Sequence, residues 1–120
     1  MTLDLIYYLT LGLFFTHELD AVKRHEWRLL PVLRSRPDRS GEQFFIWIHV
    51  PIFMFLLLAG DGMDVNAVRV GFAIFAVIHV GLHWLFRNHP ANEFNNASSW
   101  ALIVGTGASG AAYLVAAEMF

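Results

Sequence analysis

The sequence predicts an all-α fold, an integral membrane four-helix bundle with both termini on the non-cytoplasmic side. Three observations carry that reading. Hydrophobic residues make up 57% of the 120-residue chain and its mean hydropathy is +0.51, well above an ordinary soluble domain. The apolar residues fall into four long runs separated by polar or turn-forming stretches. A segment in lipid must satisfy its own backbone polar groups, so apolar runs of this length are read as helices. One domain, residues 1–120, accounts for the whole chain, with helices expected over about residues 3–30, 42–59, 65–87 and 97–119.

The first apolar run, Leu3 to Phe15, has no basic residues before it, carries Asp4, and is not followed by a small-residue cleavage pattern. It is therefore expected to be a permanent span and not a removable signal peptide. It continues as an amphipathic helix through Thr16–Arg28 (THELDAVKRHEWR) to about Leu30, where Pro31 discourages further helix. Residues 34–41 (RSRPDRSG) read as a basic, turn-rich loop. The second helix contains Pro51, which removes a backbone donor near His49, and Gly60-Asp61-Gly62 is expected to stop it. The third ends before NHPANEFNN, and Asn96 is a candidate N-cap for the fourth. That last helix carries Gly105, Gly107, Ser109 and Gly110, a small-residue face that lets membrane helices approach closely. Such a face serves either packing inside the monomer or a homo-oligomer or partner-subunit interface through helix four.

Orientation follows from the basic residues. Lys23, Arg24, Arg28, Arg34, Arg36, Arg39 and Arg87 belong to one side of a four-span topology, and Arg69 to the other with Asp4, Asp61, Asp64 and Glu118. The positive-inside rule places the basic side in the cytoplasm, the expected location being the inner membrane as a multi-pass protein. Trp27, Trp47, Trp84 and Trp100 fall near helix ends on that same side, as an interfacial belt would. Charge is sparse at 15% and gives no nucleic-acid surface. The absence of cysteine excludes disulfides, thiolate metal sites and iron–sulfur clusters.

The functional signal is a layer of ionisable groups at membrane depth, which are costly there and mark a site by default. With ~1.5 Å rise per residue, His17, His49 and His79 lie roughly 9–12 Å inside the cytoplasmic boundary and His83 roughly 6 Å. His79 and His83 are four apart and share a helix face, the spacing that offers two ligands to one metal. Asp20 lies about 60° from His17 around the first helix, and Glu18 about 100° the other way. Metal ligands are therefore expected at His17, His49, His79 and His83, with Asp20 or Glu18 orienting a water or moving its proton. Zinc suits that donor set best, with iron as the other divalent ion, and a three-histidine zinc brings bound water toward a pKa of ~7. Neither HELDA nor HEWRL is the zincin HExxH, since Ala21 and Leu29 stand in the second histidine's place.

At THELDAVKRHEWR, HVGLHWLFRNHP and EFNNASSW the chain resembles a family of small, uncharacterised bacterial four-helix membrane proteins. More loosely it resembles HXXEE-domain membrane proteins, although Asp20 and Ala21 stand where their two glutamates would be. For the site alone it is similar to membrane hydrolases related to alkaline ceramidases. That likeness implies His79 and His83 as the HxxxH pair, His17 or His49 as third zinc ligand, and Asp20 as the water-orienting acid. Those enzymes have more spans, so the likeness does not extend to the fold. The expected function is thus a metal-dependent enzyme, a hydrolase acting on a lipid or amphiphilic substrate at the cytoplasmic leaflet. The alternatives are a b-type haem protein with imidazoles as axial ligands, or a non-enzymatic accessory subunit or ion or proton path built on a His/acid network.

Overall fold

The computed structural model describes residues 2–58 and 64–119, and is all-helical over them. The elements are α1 (Leu3–Lys23), a 3-10 turn (Glu26–Arg28), α2 (Pro31–Arg34), α3 (Asp38–Leu58), α4 (Val65–Leu85) and α5 (Ala97–Met119). The expected stop at Gly60-Asp61-Gly62 lies outside the described residues. Helices α3, α4 and α5 are long and apolar enough to cross a membrane. Helix α1 is as long as α3 but does not join them on composition, because His17, Glu18, Asp20 and Lys23 crowd its C-terminal third.

Five helices therefore replace the four expected, and the difference lies between residues 24 and 41. The first helix does not run on to Leu30. It ends at Lys23, and His25 turns the chain with φ 56° and ψ 46°, the left-handed region. A non-glycine residue there costs roughly 1–2 kcal/mol, and a set of side-chain contacts offsets it. His25 Nδ1 meets Glu93 at 2.7 Å. Trp27, 1% exposed, donates from Nε1 to Asp38 at 2.9 Å. Arg28 donates to both Asp38 oxygens, at 2.9 and 2.7 Å. Pro31 opens α2 at a position that needs no backbone donor. Asp38, held in this network and favoured in a first turn, lets α3 start four residues earlier than the sequence pattern suggested. Gly41 is required at that junction, since a Cβ would stand 2.9 Å from Trp27 Cδ1.

The remaining helix ends follow their capping residues. Thr2 accepts from Leu5 N–H at 3.2 Å, Asp64 from Ala67 N–H at 3.1 Å, and Asn96 from Ser99 N–H at 2.9 Å. Helix α5 lies along both α1 and α4, while α3 touches its neighbours at few points. The small-residue face of α5 makes the close packing possible inside the chain. A Cβ on Gly107 would meet Val80 Cγ2 at 2.2 Å, and one on Gly110 would meet the Ala73 carbonyl at 2.9 Å. Two buried threonine hydroxyls are satisfied within their own helices: Thr10 donates to Ile6 O at 2.9 Å and Thr106 to Leu102 O at 2.7 Å. At the end away from the histidines, Arg69 lies 4.5 Å over the Tyr7 ring and bonds Asp4 at 2.5 Å, joining α4 to α1.

Gly110→Val should overpack the α4–α5 contact and destabilise the protein by about 1–3 kcal/mol, read as a lower unfolding midpoint in detergent. Gly12→Ala, whose Cβ meets nothing within 4 Å, should leave the midpoint unchanged or slightly raised.

Candidate metal centre

His17 sits on the inner face of α1 between two apolar clusters, with Tyr7 and Phe14 on one side and Ala21 and Trp27 on the other. It is fully buried. From α4, His79 and His83 project one turn apart toward it, with ring centroids 4.7 and 5.0 Å from that of His17. The two α4 imidazoles bring their Nε2 atoms to 3.1 Å of each other. The fourth member is Glu26, from the 3-10 turn. Its Oε1 lies 3.0 Å from His83 Nε2, 3.9 Å from His17 Nε2 and 4.0 Å from His79 Nε2.

One donor atom from each of His17, Glu26, His79 and His83 lies within 4.8 Å of all the others, so this group could hold a metal ion. Tetrahedral zinc with bonds of ~2.0–2.1 Å places its ligand atoms roughly 3.3 Å apart, and the separations from Glu26 bracket that figure. The protein by itself leaves this group short of partners. Both ring nitrogens of His17 and Nδ1 of His79 are buried without a hydrogen-bond partner among the described residues, a state that costs about 1–3 kcal/mol per group when nothing compensates. A cation bound by the Nε2 atoms supplies the missing partner of His17 Nε2. Their orientation comes from packing: His17 lies along Phe94 (5.7 Å between centroids), and His79 meets Phe14 and Phe75 at 6.2 and 5.4 Å. Burial alone would push the Glu26 carboxyl up. The contact with His83 and the fields of the three imidazoles outweigh it, so Glu26 titrates below its ordinary range and is available as a carboxylate ligand.

The other residues singled out in the sequence stand elsewhere. His49 is not one of the four. Its Nδ1 meets the Phe45 carbonyl at 2.5 Å, one turn back in α3, and its Nε2 meets Glu18 Oε2 in a short contact. With Nδ1–H donated to the carbonyl, Nε2 and the Glu18 carboxyl can bond through a single proton. Glu18 also faces the centre, its Oε1 being 3.7 Å from His17 Nε2. Asp20 turns away from it. Its Oδ2 accepts from Ser99 Oγ at 2.6 Å and its Oδ1 from Arg24 Nε at 3.3 Å, which fastens α1 to the start of α5.

Glu26 was missed because a helix continued to Leu30 would put it about 180° around from His17 and roughly 13 Å further along. Only the reversal at His25 brings it back. The available signal was chemical: three buried imidazoles call for a carboxylate, and Glu26 is the next acid after the expected pair.

Residues 3–119 match a family of unknown function (DUF6713). The chain belongs to that family. Nothing among the curated proteins or the solved structures matches it. The site's chemistry therefore has to be read from its own side chains.

Metal analysis of the detergent-purified protein should find one divalent ion per chain. Glu26→Ala and the His79→Ala/His83→Ala pair should each lower metal affinity at least tenfold, while Asp20→Asn leaves the stoichiometry unchanged.

Proposed function

We propose that the chain is a metal-dependent membrane enzyme, a hydrolase of lipids or other amphiphiles working from the cytoplasmic leaflet of a bacterial inner membrane. The observation that carries this reading is the convergence of His17, Glu26, His79 and His83 on one point at the wall of an apolar cavity of about 850 Å³. Three imidazoles and one carboxylate suit zinc, with iron second, and such an ion supplies a Lewis acid and an acidified water. Glu18 is placed to act on that water: one oxygen faces His17 and the other is anchored on His49. A carboxylate held at one oxygen keeps the second free to accept a proton and pass it to the leaving group.

We place α1 in the membrane beside the three apolar helices, since it is 21 residues long and α5 lies against it. The basic residues of the 24–39 segment then face the cytoplasm, together with Glu26 and the mouth of the site. Haem is disfavoured as the cofactor, because Glu26 stands within the imidazole group and three imidazoles packed so closely leave no planar slot. The second reading, a non-enzymatic proton path, draws support from the Glu18–His49 contact, which extends the polar network from the centre to α3.

The test is turnover of p-nitrophenyl acyl esters by the protein in lipid nanodiscs. Hydrolysis should stop on chelation, return with zinc, and fall at least a hundredfold in Glu18→Gln with metal content retained. A metal-free wild type that tolerates His79→Gln would favour the proton path.

A further inference from the structure

The cavity beside the centre has a shape and polarity of its own. Its walls come chiefly from α3 and α4, with α1 and the 24–33 segment contributing at one end, and α5 takes no part. Glu18, Glu26, His49, His79 and His83 are gathered at that end, and every other lining side chain is apolar or glycine. Phe55, Phe75 and Leu82 line the groove and remain exposed, so it is open on the face of α3 and α4, where the bilayer would lie. From His79 back to Ala67 the groove follows α4 for about 18 Å at ~1.5 Å per residue. That is close to one leaflet's share of a ~30 Å hydrocarbon core. Its volume lies within the ~300–1,000 Å³ of ordinary ligand sites.

We propose that the groove is the binding site for a single long acyl or alkyl chain, entering sideways from the bilayer with an uncharged oxygen-bearing head (ester, amide or alcohol) at the histidine end. This deepens the functional reading above and rests on it for the head, though not for the chain. Three features select the occupant. The polar groups occur at one end, which matches an amphiphile with one head. The apolar length matches one membrane-lipid chain. Two carboxylates and no lysine or arginine line the groove among the described residues, so Glu18 and Glu26 already balance the charge of a divalent ion held there and an anionic head gains no net attraction. The loose packing of α3 against α1 and α4 is what leaves the space, and the Glu18–His49 contact holds α3 at the head end.

Gly71 offers a way to block the groove without touching the centre. It lines the cavity, and a Cβ there meets nothing within 4 Å, so a larger side chain enters open space in a helix that tolerates it. The experiment uses the full chain in phosphatidylcholine nanodiscs with a diazirine-bearing analogue of hexadecanamide, photolysed and mapped by mass spectrometry, with metal content measured on the same samples. Labelling should be saturable and concentrated on groove residues of α3 and α4 over exposed positions such as Val104 on α5. Hexadecanamide should compete at least tenfold better than palmitate. Gly71→Leu should cut groove labelling at least fivefold with metal content and helical content unchanged. Labelling spread evenly over the lipid-facing surface, indifference to Gly71→Leu, or stronger competition by palmitate would overturn the proposal. A metal-free wild type with selective groove labelling would sink the metal reading and leave this one standing. Full metal with unselective labelling would do the reverse.

Discussion

The structure depends on bringing one carboxylate into a nest of three buried imidazoles. Each of these groups is costly to bury alone, and each reduces the cost for the others. His17 comes from α1, and His79 and His83 come from α4. No position on an uninterrupted α1 beyond Lys23 could return a side chain to the same point, so the chain must break and turn. The left-handed His25, the short 3-10 turn and the burial of Trp27 are the means of that turn. The ion pairs of Arg28 with Asp38 and Glu93 are largely exposed and worth little one by one. Their effect is geometric, holding the segment that carries Glu26 against both α3 and the loop before α5.

The rest of the fold divides into a close-packed part and an open one. Gly107 and Gly110 let α5 approach α4 until backbone atoms touch the place of a side chain, and Asp20 with Ser99 ties α1 to the same helix. Since α5 holds both α1 and α4, it fixes the spacing of His17 from His79 and His83 without contributing a ligand. Helix α3 gives only Phe45 and Leu56 to the buried clusters, the Leu56 carbonyl accepting from the Tyr7 hydroxyl of α1 at 3.0 Å. Its polar ties are Asp38 at the start, His49 midway and Leu56 near the end, and the space left beside it becomes the groove. Under the proposed hydrolase reading, a buried centre beside an open cavity suits a substrate that never leaves the bilayer.

Much of this could be read from the residues in order. The helical class, the apolar runs, the Asn96 cap and the meeting of His17 with His79 and His83 all follow from periodicity and depth, quantities that a helix makes linear in sequence. Asp20 and His49 were less legible. A helical wheel gives the direction a side chain points from its own axis but not which neighbour stands there. In the fold Asp20 finds Ser99 of α5, and His49 finds Glu18 before it can reach the α4 pair.

Read alone, the residues indicated that helices would form, that Asn96 would cap the last of them, and that imidazoles from two of them would share a level, because those outcomes rest on local propensity and on water's exclusion of apolar surface. Which carboxylate joins the three imidazoles, and that a groove lies beside them, came from the packing alone. Both depend on how one helix ends and how closely its neighbours pack. A single backbone angle at His25 moves Glu26 from the far side of a helix to within 3.0 Å of His83, and no pattern of residue types encodes that angle in isolation from the contacts that hold it.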